Sequence, residues 1–189
     1  MFNKKVIVGI TGASGAVYAV SLLRELSKRG FVIDGVCSRL GKEVLQFESG
    51  LSESDFPFVN WYESENMFAP IASGSNRSDA MIIVPCSMNT LSSVACGISN
   101  NLLQRAALVT LKERRKLVVV PRETPLSVIH IEAMLKLAQA SATILPASPG
   151  FYKKPQNIQD LTDFITDRII SIITETDTPF TPENSLSQS

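Results

Sequence analysis

The stretch Lys5–Ile10, KVIVGI, runs directly into Thr11-Gly12-Ala13-Ser14-Gly15 and then into a helical pattern, and this junction constrains the fold more than any other stretch. A short, β-branched run without polar alternation is what a strand covered on both faces requires, as in a parallel sheet. After the glycines, residues 16–29 place Val17, Val20, Leu23 and Leu26 at helical spacing, and Gly30 stands where a C-terminal cap belongs. Residues 31–38 read as a second strand and 41–48 as a short helix, so the chain opens with a βαβ unit.

The alternation continues. Residues 50–74 lose periodicity around Pro57 and Pro70 and read as a loop excursion, after which strands are expected at 80–84, 117–120 and 142–145. Helices are expected at 90–96, 102–113 and 127–139, and a last one at 158–174 carries Leu161, Phe164, Ile165, Ile169 and Ile172 along one stripe. This order predicts an α/β, Rossmann-like three-layer sandwich with a mostly parallel sheet, whose ligands bind outside the carboxyl ends of the strands. We expect one domain over residues 1–175, then a polar tail at 176–189.

Eighteen basic and eighteen acidic side chains cancel, which removes the field that would draw a protein to nucleic acid or an anionic membrane. No apolar run reaches the ~20 residues of a membrane span, and residues 1–10 carry no cleavage signal, so a cytoplasmic location is expected. Cys37, Cys86 and Cys96 lack metal-ligand spacing and His130 is the single histidine, which argues against a zinc site. Cys86 reads as packing and His130 as a helix-face residue.

The residues after each strand share a character: TGASG, Ser38, PCSMNT, PRETP and PASPGFY are small and hydroxyl-rich. A Gly-rich turn opening a helix presents N–H groups and a positive dipole end, a natural seat for a phosphate. The dinucleotide GxGxxG pattern is incomplete and no P-loop is present. Arg105 and Lys112, seven residues apart on one helical segment, project from nearly one face, whereas Arg114, Arg115 and Lys116 read as a solvated helix end. A second anion could then be held by Arg105, Lys112, Arg122, Tyr152 and Arg168. Val118-Val119-Val120 runs into an Arg122–Glu123 pair clamped by Pro121 and Pro125, and Glu48 and Glu123 both stand at element ends suited to proton transfer.

Together, GITGASGA (9–16), ASGS (72–75), PCSMNTLS (85–92), NNLLQRAA (100–107), LKERRKLVVVPRETPLS (111–127) and ILPASPGFY (144–152) resemble the UbiX-type flavin prenyltransferase family. The resemblance implies an FMN-binding Rossmann-like fold in a homododecamer with active sites at subunit interfaces. It implies transfer of a dimethylallyl group from dimethylallyl phosphate to N5 and C6 of reduced FMN, without a metal. The prenylated FMN then serves a UbiD-type decarboxylase, in bacteria often within ubiquinone biosynthesis. Carried over by motif, Gly12, Ala13, Ser14, Ser38, Ser87, Met88, Asn89, Thr90 and Arg122 would bind FMN. Ser73, Arg105, Lys112, Glu123, Tyr152 and Arg168 would hold the dimethylallyl phosphate, with Ser14, Glu48, Lys112 and Glu123 nearest the chemistry and Glu48 the candidate proton acceptor. Phe68 or Trp61 would flank the prenyl group. The alternatives are an FMN-dependent cysteine decarboxylase of the same fold, which would need a catalytic histidine after the first helices, and a non-catalytic FMN carrier.

Overall fold

The computed structural model describes residues 4–175; the predicted tail at 176–189 lies outside them. The chain runs β1 (Lys5–Ile10), α1 (Ala16–Lys28), β2 (Val32–Cys37), α2 (Arg39–Ser49), β3 (Val59–Tyr62), β4 (Ala80–Cys86) and α3 (Met88–Ala95). It continues as α4 (Leu102–Lys112), β5 (Lys116–Pro121), α5 (Val128–Gln139), β6 (Thr143–Ile144) and α6 (Ile158–Thr174). The six strands form one sheet in the order β3-β2-β1-β4-β5-β6, and each pairing is parallel. The strand order reverses between β1 and β4, so the loops leaving these two strands diverge to opposite faces and open a crevice at the carboxyl edge.

The β-branched runs are explained by the two cores they divide. Val6, Val8 and Ile10 of β1 and Val118 and Val120 of β5 pack under α1 and α6, with Leu45 of α2. Their neighbours Ile7, Leu117 and Val119 face the opposite layer, built from α3, α4 and α5. A strand buried on both faces cannot alternate polar and apolar residues, which is why these segments carried no period of two.

Three readings require correction. The 50–74 excursion contains β3, a short edge strand that pairs Ile33 with Val59 and Val36 with Tyr62. The stripe expected for α1 holds at Val20, Leu23 and Leu26, which are buried, but not at Val17, which is 36% exposed, and it widens to include Leu22. Because α1 is wedged between the sheet and α6, it buries an arc wider than one row of side chains. In α6 the buried face also includes Thr162 and Thr166, while Leu161, Phe164 and Ile172 sit at its margin. Thr166 donates its hydroxyl to Ser21 Oγ at 2.9 Å, so a hydroxyl occupies a core position that hydropathy alone would assign to an apolar residue. No described helix is long and apolar enough to cross a membrane.

Candidate active site

The crevice at the β1/β4 reversal is held shut at its base by one hydroxyl. Thr11, 1% exposed, donates Oγ1–H to the Pro85 carbonyl at 2.7 Å and accepts the Ser87 N–H at 2.7 Å. Three helices begin around it. Ser38 caps α2 by accepting the Gly41 N–H at 3.0 Å, and Ser87 caps α3 by accepting the Thr90 N–H at 3.4 Å. The N-cap of α1 is Gly15 at φ 107°, a left-handed conformation that glycine adopts without penalty.

The α1 terminus already has an anion. Glu48, near the end of α2, accepts the Gly15 and Ala16 N–H groups, both at 2.8 Å on Oε2. Partial burial alone would raise the Glu48 carboxyl, but hydrogen bonds from the Ser14 hydroxyl and from the Ala16 and Gly15 amides, with the nearby Arg122 charge, hold it below the ordinary value. A ligand phosphate is therefore better matched to the starts of α2 and α3, where neutral serines cap the helices. The residues present fit FMN in this respect, since Gly12, Ala13 and Ser14 border the same crevice as Ser38 and Ser87–Thr90.

β5 ends beside this crevice. The Arg122 N–H reaches the Cys86 carbonyl at 3.3 Å and its Nε–H donates to the Ser14 carbonyl at 3.1 Å, tying the β5 loop to the Gly-rich turn. Glu123 is exposed, with Oε1 accepting the Thr124 N–H at 3.0 Å. The adjacent charges thus address different partners.

The remaining predicted phosphate ligands lie elsewhere on the chain. Lys112 ends α4, four residues before β5 starts at the amino edge of the sheet, while Glu123 follows the end of β5. At about 3.3 Å per residue, the six-residue strand separates these two edges by roughly 17–20 Å. Ser73 belongs to the loop beside Lys112, and Arg105 donates Nε–H to the Ala72 carbonyl of that loop at 3.2 Å. Tyr152 and Arg168 occupy a third position, on the α6 layer: Tyr152 packs edge-on against Phe164 with ring centroids 5.9 Å apart, and the exposed Arg168 follows one turn later. Within one chain, Ser73, Arg105 and Lys112 form one group, and neither Glu123 nor the Tyr152–Arg168 pair joins it.

Arg115 differs from the expected solvated helix end. It donates to the Gly74 carbonyl at 2.7 Å and to the Asn76 carbonyl at 2.8 Å, and so shapes the Ser73 loop. Lys116 belongs to β5 and pairs with Glu175 at 2.7 Å. Neither Arg115 nor Thr11 stood out as a site residue in the sequence. Thr11 carried a usable signal, being the first polar residue after a buried strand. Arg115 carried none, because its partners are about 40 positions away.

The other candidates have structural roles. Cys86 is fully buried and burial pushes its thiol far above the ordinary range, so it is no nucleophile. His130 Nδ1 accepts the Ser127 N–H at 3.4 Å while Ser127 Oγ accepts the His130 N–H, a capping box for α5. Trp61 packs against Gly35 in the sheet, whereas Phe68 is 99% exposed. Among the described residues no His, Cys, Asp and Glu side chains form a metal-binding group.

Comparison with known proteins finds relatives over most of the chain. A family described as flavoprotein matches residues 1–170. The flavin prenyltransferase UbiX of Halalkalibacterium halodurans is 46% identical over 175 residues, covering 86% of this chain and 85% of that protein. The crystal structure of AnUbiX (PadA1) in complex with FMN and dimethylallyl pyrophosphate superposes with a TM-score of 0.89 at 37% identity, covering 91% of this chain and 93% of that one. A dodecameric FMN-dependent UbiX-like decarboxylase from Escherichia coli O157:H7 gives 0.88 at 39% identity, covering 90% and 94%.

Proposed function

The chain belongs to the UbiX-type flavin prenyltransferase family, and from that premise we propose that it joins a dimethylallyl group from dimethylallyl phosphate to N5 and C6 of reduced FMN. The observation that carries the reading is the division of one chain into two anion-suited regions: serine-capped helix starts at the carboxyl edge and a Ser/Arg/Lys group toward the amino edge. A simple FMN carrier would need only the first. A cysteine decarboxylase would need a free catalytic histidine, and His130 serves as a cap on α5.

In this reading Gly12, Ala13, Ser14, Ser38, Ser87, Met88, Asn89, Thr90 and Arg122 hold FMN, with the flavin phosphate at the starts of α2 and α3. Reduced FMN supplies the nucleophilic nitrogen and carbon. Arg122, anchored on the Ser14 carbonyl, fixes the Gly-rich turn against the flavin edge. Glu123 positions or protonates the departing phosphate, and Ser73, Arg105, Lys112, Tyr152 and Arg168 take up its charge. Glu48, whose Oε2 accepts the Gly15 and Ala16 N–H groups, is the candidate acceptor of the proton released at the flavin edge.

Because Lys112 and Glu123 stand at opposite edges of the sheet, a complete site requires a second copy to bring its amino edge to the first copy's crevice. A homododecamer, the assembly named for the Escherichia coli relative, is the proposed form. The product passes to a UbiD-type decarboxylase. The test is anaerobic incubation of the purified protein with reduced FMN and dimethylallyl phosphate, followed by mass measurement of the released flavin. A gain of one C5H8 unit is expected, and unchanged flavin with both monophosphate and pyrophosphate donors would refute the assignment.

A further inference from the structure

Lys112 is not waiting unpaired for a phosphate: its ammonium contacts the Glu113 carboxylate, the next residue along the chain. Glu113 is the C-cap of α4, where a carboxylate faces the negative end of the helix dipole. Helix stability therefore does not account for an acid at this position. Lys112 is what holds it, and its ion pair with Lys112, helped by the Arg115 charge, keeps the Glu113 carboxyl below the ordinary value.

The surrounding loop is shaped around this pair. Arg105 holds the Ala72 carbonyl, and Arg115 holds those of Gly74 and Asn76. Ser73 Oγ lies 2.8 Å from Ser75 Oγ. A Cβ on Gly74 would meet the Glu113 carboxylate and lie 2.9 Å from Lys112 Nζ, so the loop backbone runs directly beside the pair and a side chain there would push its flexible ends aside. Two hydroxyls, two guanidinium groups and the Lys112–Glu113 pair thus meet at this loop.

We propose that Glu113 is a positioning residue that occupies Lys112 as an internal substitute for the donor's phosphate and is displaced when the phosphate enters. This rests on the reading of Lys112 as a phosphate ligand. The pair is about half exposed, with side chains 54% and 34% accessible, and such pairs are weak enough for a dianion with several donors around it to displace. Glu113 would keep Lys112 extended toward the loop in the empty enzyme, set a threshold that favours a dianionic group over a monoanion, and return to Lys112 as inorganic phosphate leaves.

The test uses the full-length FMN-loaded enzyme. Glu113→Gln should lower both the KM for dimethylallyl phosphate and the inhibition constant of inorganic phosphate about threefold or more, with FMN affinity unchanged. Glu113→Asp, which keeps the charge, should return both toward the parent values, and Glu113→Ala should behave as Glu113→Gln. An unchanged or raised KM in Glu113→Gln and Glu113→Ala, alongside a raised KM in Lys112→Ala, would overturn the inference alone. If Lys112→Ala leaves the KM unchanged, the assignment of Lys112 to the phosphate fails first and takes the inference with it.

Discussion

The two edges of the sheet are organised by different means. At the carboxyl edge the crevice is built from backbone and caps: Thr11 joins the β1 and β4 loops, Ser38 and Ser87 start helices, and Glu48 seals a third. At the amino edge the Ser73 loop is held by guanidinium groups reaching across to carbonyls, and the Lys112 ammonium is paired with its own neighbour. One edge is finished within the chain. Under the proposed function the other acts on a partner's crevice, which would account for predicted phosphate ligands that do not converge in a single copy.

This contrast is best tested by variants confined to one edge. The largest effect is expected from Glu123→Gln, which should keep FMN bound while lowering turnover about 100-fold or more, the usual scale for losing a group that moves a proton to a leaving group. Loss of FMN instead would make Glu123 part of the finished edge. Next, Thr11→Val should leave the half-buried Ser87 N–H without its partner and the Pro85 carbonyl with only the Thr11 N–H at 3.3 Å, costing about 1–3 kcal/mol in denaturant unfolding and weakening FMN binding without changing the donor's KM.

At the opposite edge, Arg115→Ala should release the Gly74 and Asn76 carbonyls and raise the donor's KM by roughly threefold to tenfold at unchanged FMN affinity. A fall in FMN affinity would show that the edges are coupled. The smallest effect concerns acid. The folded carboxyl of Glu48 lies below its ordinary value of 4.5, so its stabilising contribution is complete above that pH and is lost as pH falls through the lower folded value. Glu48→Gln should remove this part of the acid sensitivity, visible as a flatter melting temperature below pH 4.5.

The two edges were also unequally legible in the sequence. Strand, turn and helix order, and with it the carboxyl-edge crevice, could be read because buried parallel strands and serine caps leave local signatures in KVIVGI, AMIIV and Ser38. β3 was missed: VNWY is a four-residue edge strand set between polar turns, and too little of it is buried to show a pattern. The α1 and α6 faces came out broader than one stripe because helices packed on two neighbours, with hydroxyls satisfied inside, bury residues on either side of it. The amino-edge clamp was illegible for a different reason. Arg115 works through carbonyls of Gly74 and Asn76, contacts between residues far apart in sequence that no neighbouring residue announces.

The claim that an active site joins the crevice of one copy to the Ser73 loop of another can be measured directly by co-assembling two impaired variants, Arg122→Ala and Lys112→Ala, at a donor concentration low enough that each alone is nearly inactive. If the edges come from different copies, random mixing in equal amounts leaves one site in four with both edges intact, so activity should return to about a quarter of the parent value. If the mixture stays as inactive as its components, the two edges do not combine across copies and the account is wrong.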